Sequence, residues 1–152
     1  MIRNRSAPPG PIVPVLIYDD VSRAIEWLCG AFGFRERLRT LPEPDGSIHH
    51  AQLAVGEGAV MLNGRTAAER NESTAPRAAA FNTGFFVGVE DVDAHCERAR
   101  QFGAKILRLP KTAEFGERQY TAEDLAGNEW TFSQSVADVD PETWGAQVKE
   151  IA

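Results

Sequence analysis

One supersecondary unit is written twice in this chain, with a spacing of about 70 residues. The first copy opens on Pro14-Val15-Leu16-Ile17-Tyr18, starts a helix at Asp20-Val21 and stops it at Gly33-Phe34. It closes with Ala51-Gln52-Leu53-Ala54-Val55-Gly56 and Ala59-Val60-Met61-Leu62. The second opens on Gly84-Phe85-Phe86-Val87-Gly88, starts its helix at Asp91-Val92 and stops it at Gly103-Ala104. It closes with Tyr120-Thr121-Ala122-Glu123 and Glu129-Trp130-Thr131-Phe132. Two copies of a small open sheet can join into one curved sheet, and the concavity so formed suits a ligand.

Local chemistry supports the elements. Residues 12–18 alternate and are rich in β-branched side chains, as a strand requires. Asp20 can cap the following helix, in which Val21, Ala24, Ile25, Leu28 and Phe32 recur at helical spacing, and Gly33 ends it. Strands are expected over 35–40, 48–55 and 59–63, the last two as a hairpin around Glu57-Gly58. In the second copy Asp91 is the cap, and Val92, Cys96, Ala99 and Phe102 form the apolar stripe. Strands follow over 105–109, 118–123 and 129–133. The 152 residues therefore read as a single domain of two pseudo-repeats, about 12–63 and 83–133, joined by a linker over 65–80. Asp140-Pro141-Glu142 starts a tail helix over 141–151, with Trp144, Val148 and Ile151 on one face.

Charge and composition narrow the partners. A net charge of −6 without a long basic run argues against nucleic acid. No apolar stretch reaches the roughly 20 residues that span a bilayer, and the first residues lack the apolar core of a secretory signal. Cys29 and Cys96 lie in separate predicted helices and read as small buried thiols, which points to a reducing, cytoplasmic setting.

Two runs carry a family resemblance. Asp20-Val21-Ser22-Arg23-Ala24-Ile25-Glu26-Trp27-Leu28, followed by Ala31-Phe32-Gly33-Phe34, resembles the vicinal oxygen chelate superfamily. So does Asp124-Leu125-Ala126-Gly127-Asn128-Glu129-Trp130-Thr131-Phe132. This group holds glyoxalase I, extradiol dioxygenases, methylmalonyl-CoA epimerase, and fosfomycin and bleomycin resistance proteins. The similarity covers residues 12–133 and is nearest in character to the glyoxalase/bleomycin-resistance proteins called PhnB-like. It implies an α+β fold: two βαβββ modules forming one curved mixed β-sheet with the helices on its convex side. It also implies a homodimer, for which the tail helix is a candidate interface.

Enzymes of this group hold a divalent metal through His, Glu or Gln on the first and last strands of each module. The matching positions here are Val13, Met61, Gly84 and Thr131. Valine and glycine offer no donor, a thioether is soft and a lone hydroxyl is weak. No metal and no other cofactor is therefore expected. His49 and His50 are neighbours on one strand and point to opposite faces, and His95 stands on a helix beside Cys96.

Strand alternation sorts the remaining candidates. Leu16, Leu53, Val55, Val60, Leu62, Phe85, Val87, Trp130 and Phe132 take the helix side. The opposite parity is expected to line the concavity, with ligand contacts from His50, Gln52, Met61, Phe86, Arg118, Tyr120 and Thr131. His50 reads as a general acid or base, or, as is commoner for such a histidine, as a hydrogen-bonded strand residue. Glu129 reads as a base or as a solvated rim charge. Tyr120 reads as a ligand donor or as filler of the repeat, and Arg118 as an anion holder or a partner of Glu117. The catalytic residues stay unassigned, with His50 and Glu129 as candidates. The first expectation is a glyoxalase/bleomycin-resistance-like protein that binds a small organic molecule in a concave pocket without the family metal. The alternatives are a metal-dependent or metal-free lyase, isomerase or dioxygenase of the superfamily, and an accessory domain that receives a protein segment.

Overall fold

The computed structural model describes residues 2–65 and 83–149, so most of the expected linker lies outside the described residues. The described residues fall into two compact units, 2–65 with 125–127 and 83–124 with 128–149. The first unit runs β1 (Val15–Tyr18), α1 (Val21–Phe32), β2 (Arg35–Arg39), β3 (His50–Val55) and β4 (Gly58–Gly64). The second runs β5 (Gly84–Gly88), α2 (Val92–Gln101), β6 (Lys105–Thr112), β7 (Glu117–Glu123) and β8 (Glu129–Ser135). Each unit holds a four-stranded mixed sheet, ordered β1-β4-β3-β2 and β5-β8-β7-β6. In both, the first and last strands pair in parallel and the remaining pairs are antiparallel. The fold is α+β, and the βαβββ order appears twice, as the repeat implied.

The helix boundaries follow from capping chemistry. Asp20 accepts a hydrogen bond from the Arg23 amide at 3.0 Å, and Asp91 accepts one from Ala94 at 3.0 Å. Each satisfies an amide that the first turn would otherwise leave open. Gly33 ends α1 at φ 74°, donating to the Cys29 carbonyl, and Gly103 turns the chain after α2 at φ 97°.

In the first unit α1 covers one face of its sheet with Val21, Ala24, Ile25, Leu28, Ala31 and Phe32, all buried. Leu16, Tyr18, Ala51, Leu53, Val60 and Leu62 are buried from the sheet side. In the second unit Val92, Cys96 and Ala99 lie buried with Tyr120, Ala122, Trp130 and Phe132. Tyr120 stacks on Phe132 at 5.2 Å, and Phe85 meets Trp130 at 4.6 Å. Burial of such side chains, each contributing about 1.5–3 kcal/mol, is what holds each helix to its sheet.

Three expectations need correction. The tail helix is only a single 3-10 turn, Pro141–Trp144, closed by Gly145 at φ 92°. A glycine at that point accepts the left-handed backbone that stops the turn. Trp144 instead packs its ring against Phe115 at 5.6 Å, while Val148 is exposed. Ile151 lies outside the described residues. Phe102 leaves the α2 stripe and is half exposed. Cys29 is only partly buried, whereas Cys96 is buried and its thiol pKa is pushed up by that burial.

Candidate functional site

The face of each sheet away from its helix carries the candidate chemistry. In the first unit this open face presents Val15, Ile17, His50, Gln52, Met61 and Asn63, as their cross-strand partners require. His50 and Asn63 are direct neighbours, and His50 Nδ1 lies 2.7 Å from Asn63 Oδ1. His49, on the other parity, faces Glu43 at 3.1 Å.

Gln52 is 3% exposed, and its amide is already engaged. Its Oε1 accepts from Arg37 Nη1, and its Nε2 donates to the Ser6 carbonyl at 3.0 Å. Arg37 Nη2 also reaches the Ala7 carbonyl at 3.3 Å. The segment ahead of β1 is thus strapped to the open face by Gln52 and Arg37. Sequence alternation found Gln52 but could not foresee that its partner would be the chain's own N-terminal backbone.

In the second unit the open face holds Gly84, Phe86, Glu129, Thr131, Ser133, Gln119 and Thr121. Phe86 is 61% exposed, and Glu129 is exposed beside the β7–β8 turn. Tyr120 and Arg118 are not on this face. Tyr120 pairs with Phe132 and Arg118 with Gln134, so both belong to the helix side. The five-residue turn 124–128 places Glu123 opposite Glu129, and that register decides the parity of the whole strand.

Tyr120 is 1% exposed, its hydroxyl 2.6 Å from His95 Nδ1 on α2. Arg118 donates from Nε and Nη2 to Asp93 at 2.9 Å each, rather than pairing with Glu117. That guanidinium holds the Asp93 carboxyl below its usual range.

Burial pushes the Tyr120 phenol pKa well above its ordinary value of about 10. Raised in the folded state, it contributes stability that is complete below about pH 10 and declines as pH rises beyond that. Tyr120→Phe is expected to cost about 1 kcal/mol at pH 7 through the lost hydrogen bond. It is also expected to flatten the alkaline loss of stability. Urea midpoints at pH 7 and pH 11, in parent and variant, check both effects.

A cavity of about 720 Å³ opens over the second sheet. Arg108, Lys111, Gln119, Thr121, Thr131, Leu109 and Phe115 are among its lining residues. Thr121 is 2% exposed, and its hydroxyl meets Thr131 Oγ1 at 2.9 Å and Arg108 Nη2 at 3.2 Å. Ser133, also buried, donates to Glu117 at 2.8 Å and accepts from Gln119 at 3.3 Å. The floor is therefore the hydrogen-bonded hydroxyl pair Thr121–Thr131 with a partly apolar wall, and Ser133 and Glu117 lie outside the lining.

Of the predicted contacts, Thr131 lines this cavity through the open face and Tyr120 also borders it, although its hydroxyl is turned to His95, whereas Phe86 lies outside the lining. Alternation missed Arg108 and Lys111 because two irregularities break β6, between Ile106 and Arg108 and between Arg108 and Lys111. These bring Arg108 opposite Thr121 and Lys111 opposite Gln119. Pro110 inside the strand was the available signal, since proline in a sheet marks an edge or a bulge.

The family metal does not fit this donor set. Val13, Met61, Gly84 and Thr131 supply neither imidazole nor carboxylate, and the Thr131 hydroxyl is hydrogen-bonded to Thr121. Among the described residues no group of three or more His, Cys, Asp and Glu is placed to hold an ion, and no helix is long and apolar enough to cross a membrane.

The family model described as the Glyoxalase/Bleomycin resistance protein/Dioxygenase superfamily matches residues 11–132. The chain belongs to that superfamily. Among solved structures it resembles TioX from Micromonospora sp. ML1, with 34% identity and a TM-score of 0.64, over 86% of this chain and 100% of that one. Among curated proteins it is 30% identical to Rv0887c of Mycobacterium tuberculosis, over 84% of this chain and 75% of that protein. FosX, the fosfomycin resistance protein of Mesorhizobium loti, has a similar fold with 19% identity and a TM-score of 0.57, covering 82% of this chain and 91% of that one.

Proposed function

We propose that this chain is a metal-independent binding protein for a small organic molecule, of the PhnB-like kind, acting as a cytoplasmic homodimer without nucleic-acid or membrane partners. The observation that carries the reading is the cavity over the second sheet. Its volume of about 720 Å³ falls in the roughly 300–1,000 Å³ range of small-molecule sites. Its hydroxyl floor and the Phe115 and Leu109 side chains match the pairing of a few polar groups with apolar surface that such sites use. The donor-poor set Val13, Met61, Gly84 and Thr131 supports binding without metal. Thr131 and Tyr120, both in the cavity lining, keep a ligand role in this reading, whereas Arg118 and Gln52 lie outside that lining and are bonded to Asp93 and to Arg37 and the Ser6 carbonyl.

Native mass spectrometry and elemental analysis of protein prepared without chelators test this reading. The expected result is an organic molecule bound one per chain, with Fe, Zn, Ni and Mn far below one per chain. Gln119→Trp, which fills the cavity, is expected to weaken binding at least tenfold. Stoichiometric metal would favour the metal-dependent alternative, and undiminished binding in Gln119→Trp would place the ligand elsewhere.

A further inference from the structure

We propose that the cavity over the second sheet takes a singly headed organic anion, a carboxylate or sulfonate on an aromatic or branched apolar body. Arg108 and Lys111 would grip its acidic end. The proposal rests on the cavity reading above and adds the ligand's charge.

The irregularities in β6 set both cations on the open face, opposite Thr121 and Gln119. Arg108 uses Nη2 on Thr121 at 3.2 Å, and Lys111 is exposed. Among the described residues neither is ion-paired with a carboxylate, unlike Arg39, Arg65, Arg100, Lys105 and Arg118. Glu114 is the lone acid in the lining, so the wall carries a surplus positive charge in a chain whose net charge is −6. Two cations facing one cavity in an acidic protein favour an anion by direct charge pairing. The apolar wall fixes the rest of the ligand. Phe115, held against Trp144, offers a ring, and Leu109 offers an exposed aliphatic surface. The site lacks the glycine-rich backbone cradle and cation density of a polyphosphate site, so one acidic head is the match.

Two probes of the same ring system separate charge from cavity: 1-anilinonaphthalene-8-sulfonate and its uncharged counterpart N-phenyl-1-naphthylamine, titrated by fluorescence. The sulfonate is expected to bind at least tenfold more tightly, with an affinity that falls as NaCl rises. The Arg108→Gln/Lys111→Gln double variant is expected to bring it within about threefold of the neutral probe, whose own affinity stays unchanged. Leu109→Ala, at an exposed position, and Phe115→Ala are expected to weaken both probes. Equal affinity of the two probes in the parent, with both weakened by Leu109→Ala, would overturn the charge assignment and leave the cavity standing. Failure of both probes to bind, or indifference of both to Leu109→Ala and Phe115→Ala, would overturn the cavity reading itself.

Discussion

Gly116→Ala is expected to lower the melting temperature by about 10 °C, a loss of roughly 3–4 kcal/mol in a chain of this size. Two costs combine. Gly116 sits at φ 88°, a left-handed backbone that costs an L-residue about 1–2 kcal/mol. A Cβ there would also overlap the Ala137 carbonyl oxygen and approach Val139 Cγ2 to 3.0 Å. The overlapped atom is backbone, and it cannot rotate away. The Gly116 carbonyl accepts from the Val136 amide at 2.8 Å and from the Ala137 amide at 3.2 Å. The steric part adds about 1–3 kcal/mol. Gly145→Ala is the matched control: φ is 92°, and nothing lies within 4 Å of its Cβ. It is expected to lose only the backbone cost, about 4 °C. Differential scanning calorimetry of both variants separates the two terms. Equal shifts would mean that the segment after β8 yields freely, and Phe115 would then lose its support as a cavity wall.

The sequence was legible wherever chemistry is local. Asp20, Gly33 and Asp91 act within one helical turn of themselves, so their roles could be read without knowing what packs nearby. The first sheet was legible for a related reason. Leu16, Leu53, Val60 and Leu62 alternate cleanly, and a burial pattern of period two leaves one choice of face.

The second sheet was harder because its faces depend on register. Tyr120 is amphipathic and suits either side, so only the pairing Tyr120 with Phe132 could decide. Arg108 and Lys111 needed knowledge of where β6 bulges. Gln52 depended on a contact with Ser6, 46 positions away, which no periodicity encodes. The tail helix was overcalled because Pro141 starts a helix convincingly, while Gly145 stops it after one turn.

Asp124→Ala is expected to cost about 4 kcal/mol, which would make it the most damaging single polar substitution in the second unit. Asp124 is 6% exposed and gathers donors from Asn128 and Trp130. Its Oδ1 accepts from the Asn128 amide at 3.0 Å. Its Oδ2 accepts from Asn128 Nδ2 at 2.9 Å and from Trp130 Nε1 at 3.1 Å. Trp130 is 1% exposed, so water cannot readily replace the carboxylate at the indole. Each buried donor left without a partner costs about 1–3 kcal/mol. Gly127 completes the turn at φ 85°, which brings Asn128 back to its capping partner. The run Asp124-Leu125-Ala126-Gly127-Asn128 is thus a turn that seats the largest core side chain, with no need of a ligand to explain it.

Asp124→Asn keeps one acceptor oxygen while turning its NH2 toward other donors, and about half the loss is expected. Trp130→Phe closes a double-mutant cycle with Asp124→Ala, with an expected coupling of about 1–2 kcal/mol from the indole bond. Urea unfolding followed by circular dichroism measures all five proteins. A loss within 1 kcal/mol of the parent in Asp124→Ala, or zero coupling to Trp130, would show that packing alone seats the indole. The turn's acid would then need another explanation.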